Sequence, residues 1–397
     1  MPTPTGVGSE ELRRGNLRAI LQTVHRHGPT TRAELTKQLG LNRSTIGALT
    51  AELQSLGLVS EEAAAGGGRS GSGRPSHLVV PRADNVVAAV EVGVDRIAVA
   101  MVGLGGEIME RRTRTHQRGE HDVDHVVDVV AQMVEDVLAV PGDRRCQGIG
   151  VSVPGAVRTT DGMVRFAPNL GWVEEPFTAL LGKRLGRPVS TGNDANLGVL
   201  AEHLRGAAVG FSDAVYLSAS VGIGGGFLVG GRPLTGATGY AGEVGHLQVD
   251  SVGPVCRCGA VGCWETKVGE NVLLRAAGRL SGGGPPAVAE VIAAAAAGRP
   301  GPVRRWPRSP TGAVWASAPS STSSIPEVVV LGGCLAQVWR ACEDRVNDAM
   351  SRSTMMTPRE DVLIRSARLE DDAQLVGAAE LAFAPVLDDP QTALVTA

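Results

Sequence analysis

Aromatic side chains are scarce in this chain: Trp, Tyr and Phe supply 3% of its 397 residues, while Ala, Gly, Val and Arg abound, as in GC-rich coding sequence. Charge imbalance is slight as well. A formal net charge of -3 gives no global field towards nucleic acid or acidic lipid, so any DNA contact must come from a local basic surface. No apolar run is long enough to span a bilayer, and the N-terminus lacks a signal-peptide core. A cytoplasmic protein with no membrane partner is expected. Hydrophobic content of 43% and charged content of 20% are ordinary for a globular chain, and the length suffices for two or three compact units.

Cysteine is also sparse, and its placement is uneven. Of six cysteines, Cys146, Cys334 and Cys342 are scattered, whereas Cys256, Cys258 and Cys263 crowd together. A reducing compartment disfavours disulfides, so the tight cluster points to a metal.

The first sixty residues carry helical periodicity. Leu17, Ile20, Leu21 and Val24 form one apolar stripe. Gly28-Pro29 ends that helix, and Thr30 or Thr31 can cap the next, Arg32 to Leu39. Gly40-Leu41-Asn42 makes a short turn into a third helix, from about Arg43 to Leu56. Two helices joined by a short Gly turn match the helix-turn-helix design, in which the second helix offers polar N-terminal residues to the major groove. Asn42, Arg43, Ser44 and Thr45 are the candidate DNA contacts; Arg43 can read guanine or hold phosphate. Beyond them, Val59 and Leu78 to Val80 read as strands flanking a Gly-rich wing. Its Gly73-Arg74-Pro75 could place the Arg74 guanidinium in a minor groove. The plain alternatives are a three-helix bundle and a flexible linker.

From Asn85 onwards strands alternate with helices, as in an α/β domain. Strands are read at Val86 to Glu91, Arg96 to Val102, Gly148 to Val153, Val189 to Thr191, Tyr216 to Ser220 and Val328 to Leu331, with a long amphipathic helix at Asp122 to Leu138. Val221 to Gly226 reads as a glycine-rich loop.

Two segments then carry a family resemblance: Gly239-Tyr240-Ala241-Gly242-Glu243-Val244-Gly245-His246, and Cys256-Arg257-Cys258-Gly259-Ala260-Val261-Gly262-Cys263-Trp264-Glu265. The chain resembles the ROK family of repressors, open reading frames and sugar kinases, and in particular its regulators bearing a helix-turn-helix. The resemblance implies a winged helix-turn-helix over 1-82, then a two-lobed actin-like ATPase fold of the sugar-kinase type. Its first α/β lobe would be 83-205 and its second 206-397, with the C-terminal helix packing back on the first lobe.

His246, Cys256, Cys258 and Cys263 offer one imidazole and three thiolates, the four ligands of a closed, structural Zn2+ site. The resemblance also implies a sugar pocket formed by Asn193, Asp194, Glu243, His246 and Glu265. Carboxylates and amides suit sugar hydroxyls, and His246 would use one ring nitrogen for zinc and the other for sugar. Taken singly, each acid could be an ordinary solvated charge.

In the kinases that the chain resembles, Asp194 would be the general base for phosphoryl transfer. The phosphate turns differ here. Where those kinases have Asp-x-Gly-Gly-Thr, this chain has Glu91-Val92-Gly93-Val94-Asp95, with an anion in place of the hydroxyl. The kinase Gly-Thr-Gly appears as Ser220-Val221-Gly222. No ATP requirement is expected, and a sugar-responsive regulator, most simply a repressor of carbohydrate genes, is favoured over a sugar kinase with an accessory DNA-binding head. Its partners would be an operator duplex, a small sugar and further copies of itself as a dimer or tetramer. Residues 304-324 have no helical period where relatives have a helix. They are either compensating frameshifts or a Pro/Ser-rich insertion.

Overall fold

Leu17, Ile20, Leu21 and Val24 share one face of α1 (Ser9–His27), and that face is fully buried. The protein is described by a computed structural model covering residues 8–63, 77–119, 122–279, 283–296, 326–353 and 362–391. α2 (Arg32–Leu39) opens with a capping box: the Thr31 hydroxyl accepts from the Glu34 amide, and the Glu34 carboxylate accepts from the Thr31 amide. Gly40, at φ 67°, turns the chain into α3 (Arg43–Ser55). Strands β2 (Val59–Ala63) and β3 (His77–Pro81) pair antiparallel, and β1 (Thr30–Thr31) flanks β3, completing a winged helix-turn-helix head. The wing tip with Arg74 lies outside the described residues, as does the segment 304–324.

Two sheets built on one plan follow. In the first, β4 (Asn85–Val92), β5 (Arg96–Gly103) and β6 (Ile108–Thr115) run antiparallel, and β7 (Arg145–Val153) and β11 (Val189–Asn193) extend β4 in parallel. Their order is β11-β7-β4-β5-β6. In the second, β12 (Ala214–Ala219), β13 (Ile223–Val229), β14 (Arg232–Pro233), β15 (Val328–Gly332) and β16 (Leu363–Ser366) adopt the corresponding order β14-β13-β12-β15-β16 with the same directions. A small sheet of β8 (Ala156–Val157), β9 (Val164–Ala167) and β10 (Trp172–Glu175) extends from the first lobe. β4 is buried along almost its whole length, which explains its unbroken Val/Ala run.

Helices cover both lobes. α4 (Val123–Leu138) and α5 (Phe177–Leu185) pack on the first, while α7 (Glu270–Ala276), α8 (Gly284–Ala296) and α9 (Gly333–Ser353) belong to the second. α6 (Asp194–Arg205) starts at the end of β11, and α10 (Ala373–Asp388) lies along α6, β4 and β7. That approach is close: a Cβ on Gly150 of β7 would overlap the Ala378 carbonyl of α10.

The glycine-rich stretch departs from the sequence expectation. Only Ser220 to Gly222 forms a turn, and Gly224, Gly225 and Gly226 lie within β13, paired with β12. A Cβ on Gly226 would strike the Ala195 carbonyl, and one on Gly224 would meet the Ala195 side chain at 2.9 Å. These glycines let β13 lie against the start of α6, a packing duty that composition cannot distinguish from a phosphate loop.

One hydrophobic core joins the head to the first lobe. Leu17, Ile20, Val24 and Leu53 of the head cluster with Val87, Ala100, Leu375 and Phe383 of the body. The proposed division at 82/83 therefore crosses continuous packing. Among the described residues no helix is long and apolar enough to cross a membrane.

Candidate functional site

The β4–β5 turn (Gly93 to Asp95) and the β12–β13 turn (Ser220 to Gly222) both line a cleft of about 590 Å³ between the lobes. Asn193, Asp194, Glu243, His246 and Glu265 line the same cleft, so the structure brings all five sugar-pocket candidates together. Asn193 is largely committed to the fold. As N-cap of α6, its Oδ1 accepts from the Ala195 amide at 3.0 Å and the Asn196 amide at 2.9 Å, and its Nδ2 donates to Gly155 O at 2.9 Å. One amide hydrogen is left for a ligand. Asp194 accepts from the Ala195 amide at 2.8 Å through Oδ1. Burial raises its pKa to about 7; the Ala195 amide opposes the rise, and Glu243 and Glu91 add to it. Burial also raises Glu243, against the pull of His246.

His246, Cys256, Cys258 and Cys263 converge, with one potential ligand atom from each lying within 4.8 Å of all the others. Cys258 Sγ is 3.6 Å from Cys263 Sγ, and His246 Nδ1 is 3.7 Å from Cys256 Sγ. A tetrahedron with metal–sulfur bonds of about 2.3 Å has edges of about 3.8 Å, so the donor set suits a four-coordinate metal ion. Gly262, at φ 67°, lets the loop close: a Cβ there would overlap Asp250 O. Cys256 Sγ also donates to Glu265 Oε1 at 2.8 Å, and burial followed by this carboxylate holds the thiol well above its ordinary pKa. The cluster thus carries two cleft residues, His246 and Glu265, on or beside its ligands.

The cleft also holds an ion-pair bridge that the sequence did not reveal. Arg118 Nη2 is 2.9 Å from Asp95 Oδ2 in the first lobe and 3.2 Å from Glu270 Oε1 in the second. Glu270 is 2% exposed and accepts from the Gly284 amide at 3.2 Å. Asp95 is therefore part of a bridge across the cleft. Ser152, fully buried on β7, also lines the cleft, and its Oγ has no hydrogen-bond partner among the described residues. Neither Arg118 nor Ser152 sits in a recognisable motif; only the convergence of strands reveals them.

On the head, Asn42, Arg43 and Ser44 are exposed at the start of α3 and Thr45 is half-buried. Asn42 Oδ1 accepts from the Thr45 amide at 2.8 Å and from the Ser44 hydroxyl at 2.7 Å, so its oxygen serves as the N-cap. Arg43 is the exposed cation at this helix start.

A second unforeseen cluster lies where the head meets the body. His25 of α1, fully buried, has Nε2 3.0 Å from Glu380 Oε2, and Arg205 Nε is 2.7 Å from Glu380 Oε1. The Gly105 amide donates to His25 Nδ1 at 3.0 Å, which leaves the ring hydrogen on Nε2 facing Glu380. Arg205 also donates to His25 O at 3.2 Å and Gly105 O at 2.9 Å.

Comparison with known proteins decides the family. A profile described as the ROK family matches residues 87–384. The chain belongs to the ROK family. A second profile, of the MarR family, matches residues 18–70. A putative xylose repressor from Caldicellulosiruptor sp. is 36% identical over 258 residues, covering 64% of this chain and 64% of that relative, so the match spans less than two-thirds of its length. A ROK family glucokinase from Streptomyces griseus, solved with glucose and AMPPNP, aligns with TM-score 0.65 and 26% identity over 76% of this chain and 100% of its own. A ROK family transcriptional regulator described as a homologue of the E. coli Mlc protein covers 97% of this chain and 99% of its own, with TM-score 0.72 and 22% identity. The architecture of this ROK protein is a winged helix-turn-helix followed by a two-lobed, actin-like fold of the sugar-kinase type.

Proposed function

We propose that this ROK protein is a sugar-responsive DNA-binding regulator, most simply a repressor of carbohydrate genes. The course of α6 is the observation that carries the proposal. The helix begins at Asn193 and Asp194 in the cleft and ends at Arg205, within the buried cluster that grips His25 of the head. A change in the cleft that shifts this helix acts directly on the DNA-reading unit, because head and body share one core. Asp194, Glu243, His246 and Glu265, with the remaining hydrogen of Asn193, supply acceptors and donors for sugar hydroxyls. Arg43, Ser44 and Thr45 would face the major groove with Asn42 capping their helix, and Arg74, outside the described residues, is assigned to the minor groove. A symmetric dimer would match a palindromic operator. The similarity of this chain to a relative described as a putative xylose repressor supports the same assignment.

Sugar releases the head only if it prefers the state that binds DNA poorly. The cleft is read as a degenerate kinase site: Val94 and Asp95 occupy the first phosphate turn, and Asp95 is drawn into the Arg118 bridge. The second reading, an ATP-dependent sugar kinase with an accessory head, draws support from Asp194, which lines the cleft with a pKa raised to about 7. An ATP-consumption assay over a panel of pentoses and hexoses separates the two. No sugar-dependent turnover is expected; brisk turnover with any sugar would replace the regulator assignment with the kinase.

His246, Cys256, Cys258 and Cys263 are assigned to a structural Zn2+. When bound, the ion would fix the loop through four ligands with no position open for chemistry. His246 Nδ1 lies beside Cys256, and Nε2 lies 3.9 Å from Glu243 Oε2, so this ring can serve metal and ligand at once. Metal analysis should find one zinc per chain in purified protein, lost together with sugar affinity in Cys258→Ser. Full sugar affinity in zinc-free protein would contradict the assignment.

A further inference from the structure

We infer that the cleft selects neutral carbohydrate and rejects sugar phosphates, with Asp95 and Glu270 enforcing that choice. The inference rests on the sugar-sensor proposal and narrows its ligand class. A hydroxyl held against Asp194 is the one that bears the phosphoryl group in the corresponding phosphate ester, by the logic of kinase chemistry. That group would therefore lie among Asp194, the Gly93 to Asp95 turn and the Ser220 to Gly222 turn.

Nothing in this region offers a phosphate an uncommitted cation. Among the described residues only two guanidiniums line the cleft, those of Arg96 and Arg118. Arg96 Nη2 lies 3.2 Å from both carboxylate oxygens of Glu91. Arg118 is held between Asp95 and Glu270. Three backbone donors beside these turns are engaged as well. The Gly93 amide donates to Arg96 O at 2.8 Å, the Ser220 amide to Gly222 O at 3.0 Å, and the Glu270 amide to Ser220 O at 3.2 Å. Phosphate sites depend on free amides and unpaired cations at such turns. Here a phosphate would meet Glu91, Asp95, Asp194 and Glu270 with their partners already satisfied. A neutral hydroxyl meets the same acceptors without repulsion.

Asp95 and Glu270 decide the matter because together they neutralise Arg118. Freeing that guanidinium should admit the phosphate. Glutamine at 270 keeps an oxygen for the Gly284 amide, and Asp95 is partly exposed, so both positions tolerate amides.

The test is calorimetric titration of the full chain, in magnesium-containing buffer, with glucose, glucose 6-phosphate, N-acetylglucosamine and N-acetylglucosamine 6-phosphate. Thermal melts are run alongside to establish that each variant folds. At least one neutral sugar should bind, with its phosphate weaker by about a hundredfold. In Asp95→Asn, and further in the double variant with Glu270→Gln, the phosphate should gain about tenfold per charge removed, while the neutral sugar changes by less than about threefold. A sugar phosphate that binds the unmodified protein as tightly as its parent sugar would overturn the inference while leaving the sensor proposal standing. A folded double variant with no gain for phosphate would overturn the role of the two acids. If none of the four compounds binds a cooperatively melting protein, the sensor proposal for hexoses fails and the inference fails with it.

Discussion

Asp194 is half-buried at the first turn of α6, lining the cleft, and its pKa of about 7 lies well above the ordinary carboxylate value. A group whose folded pKa is raised holds its proton more tightly when folded, so its stabilising effect is complete below the unfolded pKa and disappears as pH rises through the folded one. Asp194→Asn keeps the oxygen that accepts from the Ala195 amide and removes the titration. Relative to the unmodified protein, the variant should gain on the order of 3 kcal/mol of stability between about pH 5 and about pH 8. Denaturant melts at the two pH values check this, and a pH-independent difference would contradict the proton-holding state. At this scale much of the site was legible, because Cys256, Cys258, Cys263 and the Gly-Glu-Val-Gly-His segment are spaced by their chemistry. The capping by Asn42 and Asn193 was not read, since it depends on backbone angles that only the folded helix starts define. Nor was the Arg118 bridge: Asp95 was read as a bare anion because its partner lies on a different segment, after β6.

α6 is the element on which the proposed sensing depends, since it touches the cleft at one end and the head at the other. Burial alone would raise the Glu380 pKa, but the hydrogen bond from His25, with the charge and hydrogen bond of Arg205, outweighs it and holds the carboxylate below its usual value. Removing that charge with Glu380→Gln leaves the Arg205 guanidinium unbalanced in a buried place, which should cost on the order of 3 kcal/mol. A purely structural role ends there. If the cluster transmits the cleft's state, the same variant should bind sugar within a few-fold of the unmodified protein, while the sugar-induced change in DNA affinity falls towards none. Thermal melts, sugar titration and DNA titration on one preparation separate the outcomes; an undiminished sugar response would rule out transmission through Glu380. Helix and strand positions were read closely from periodicity, as with Arg32–Leu39. The glycines of β13 were misread because tight packing and phosphate binding call for the same missing side chain.

At the scale of the molecule, two sheets of the same strand order face each other across a cleft, and the head is welded to the first lobe by a shared core. The sequence shows neither the repetition nor the weld. The two sheets share strand order but no obvious residue pattern, and some of the core residues of head and body are separated by hundreds of positions, as Leu17 and Phe383 are. Under the proposed function this arrangement would work as a lever, with ligand closing the lobes and shifting the proposed DNA-reading helix through the shared core. The most direct test is fluorescence anisotropy of the full chain on the promoter DNA it binds, titrated with and without saturating xylose, glucose or N-acetylglucosamine. At least one of these neutral sugars should change the DNA affinity by about tenfold or more, the range of ordinary allosteric coupling. Tight DNA binding that none of the three alters, although one of them demonstrably occupies the cleft, would contradict the account.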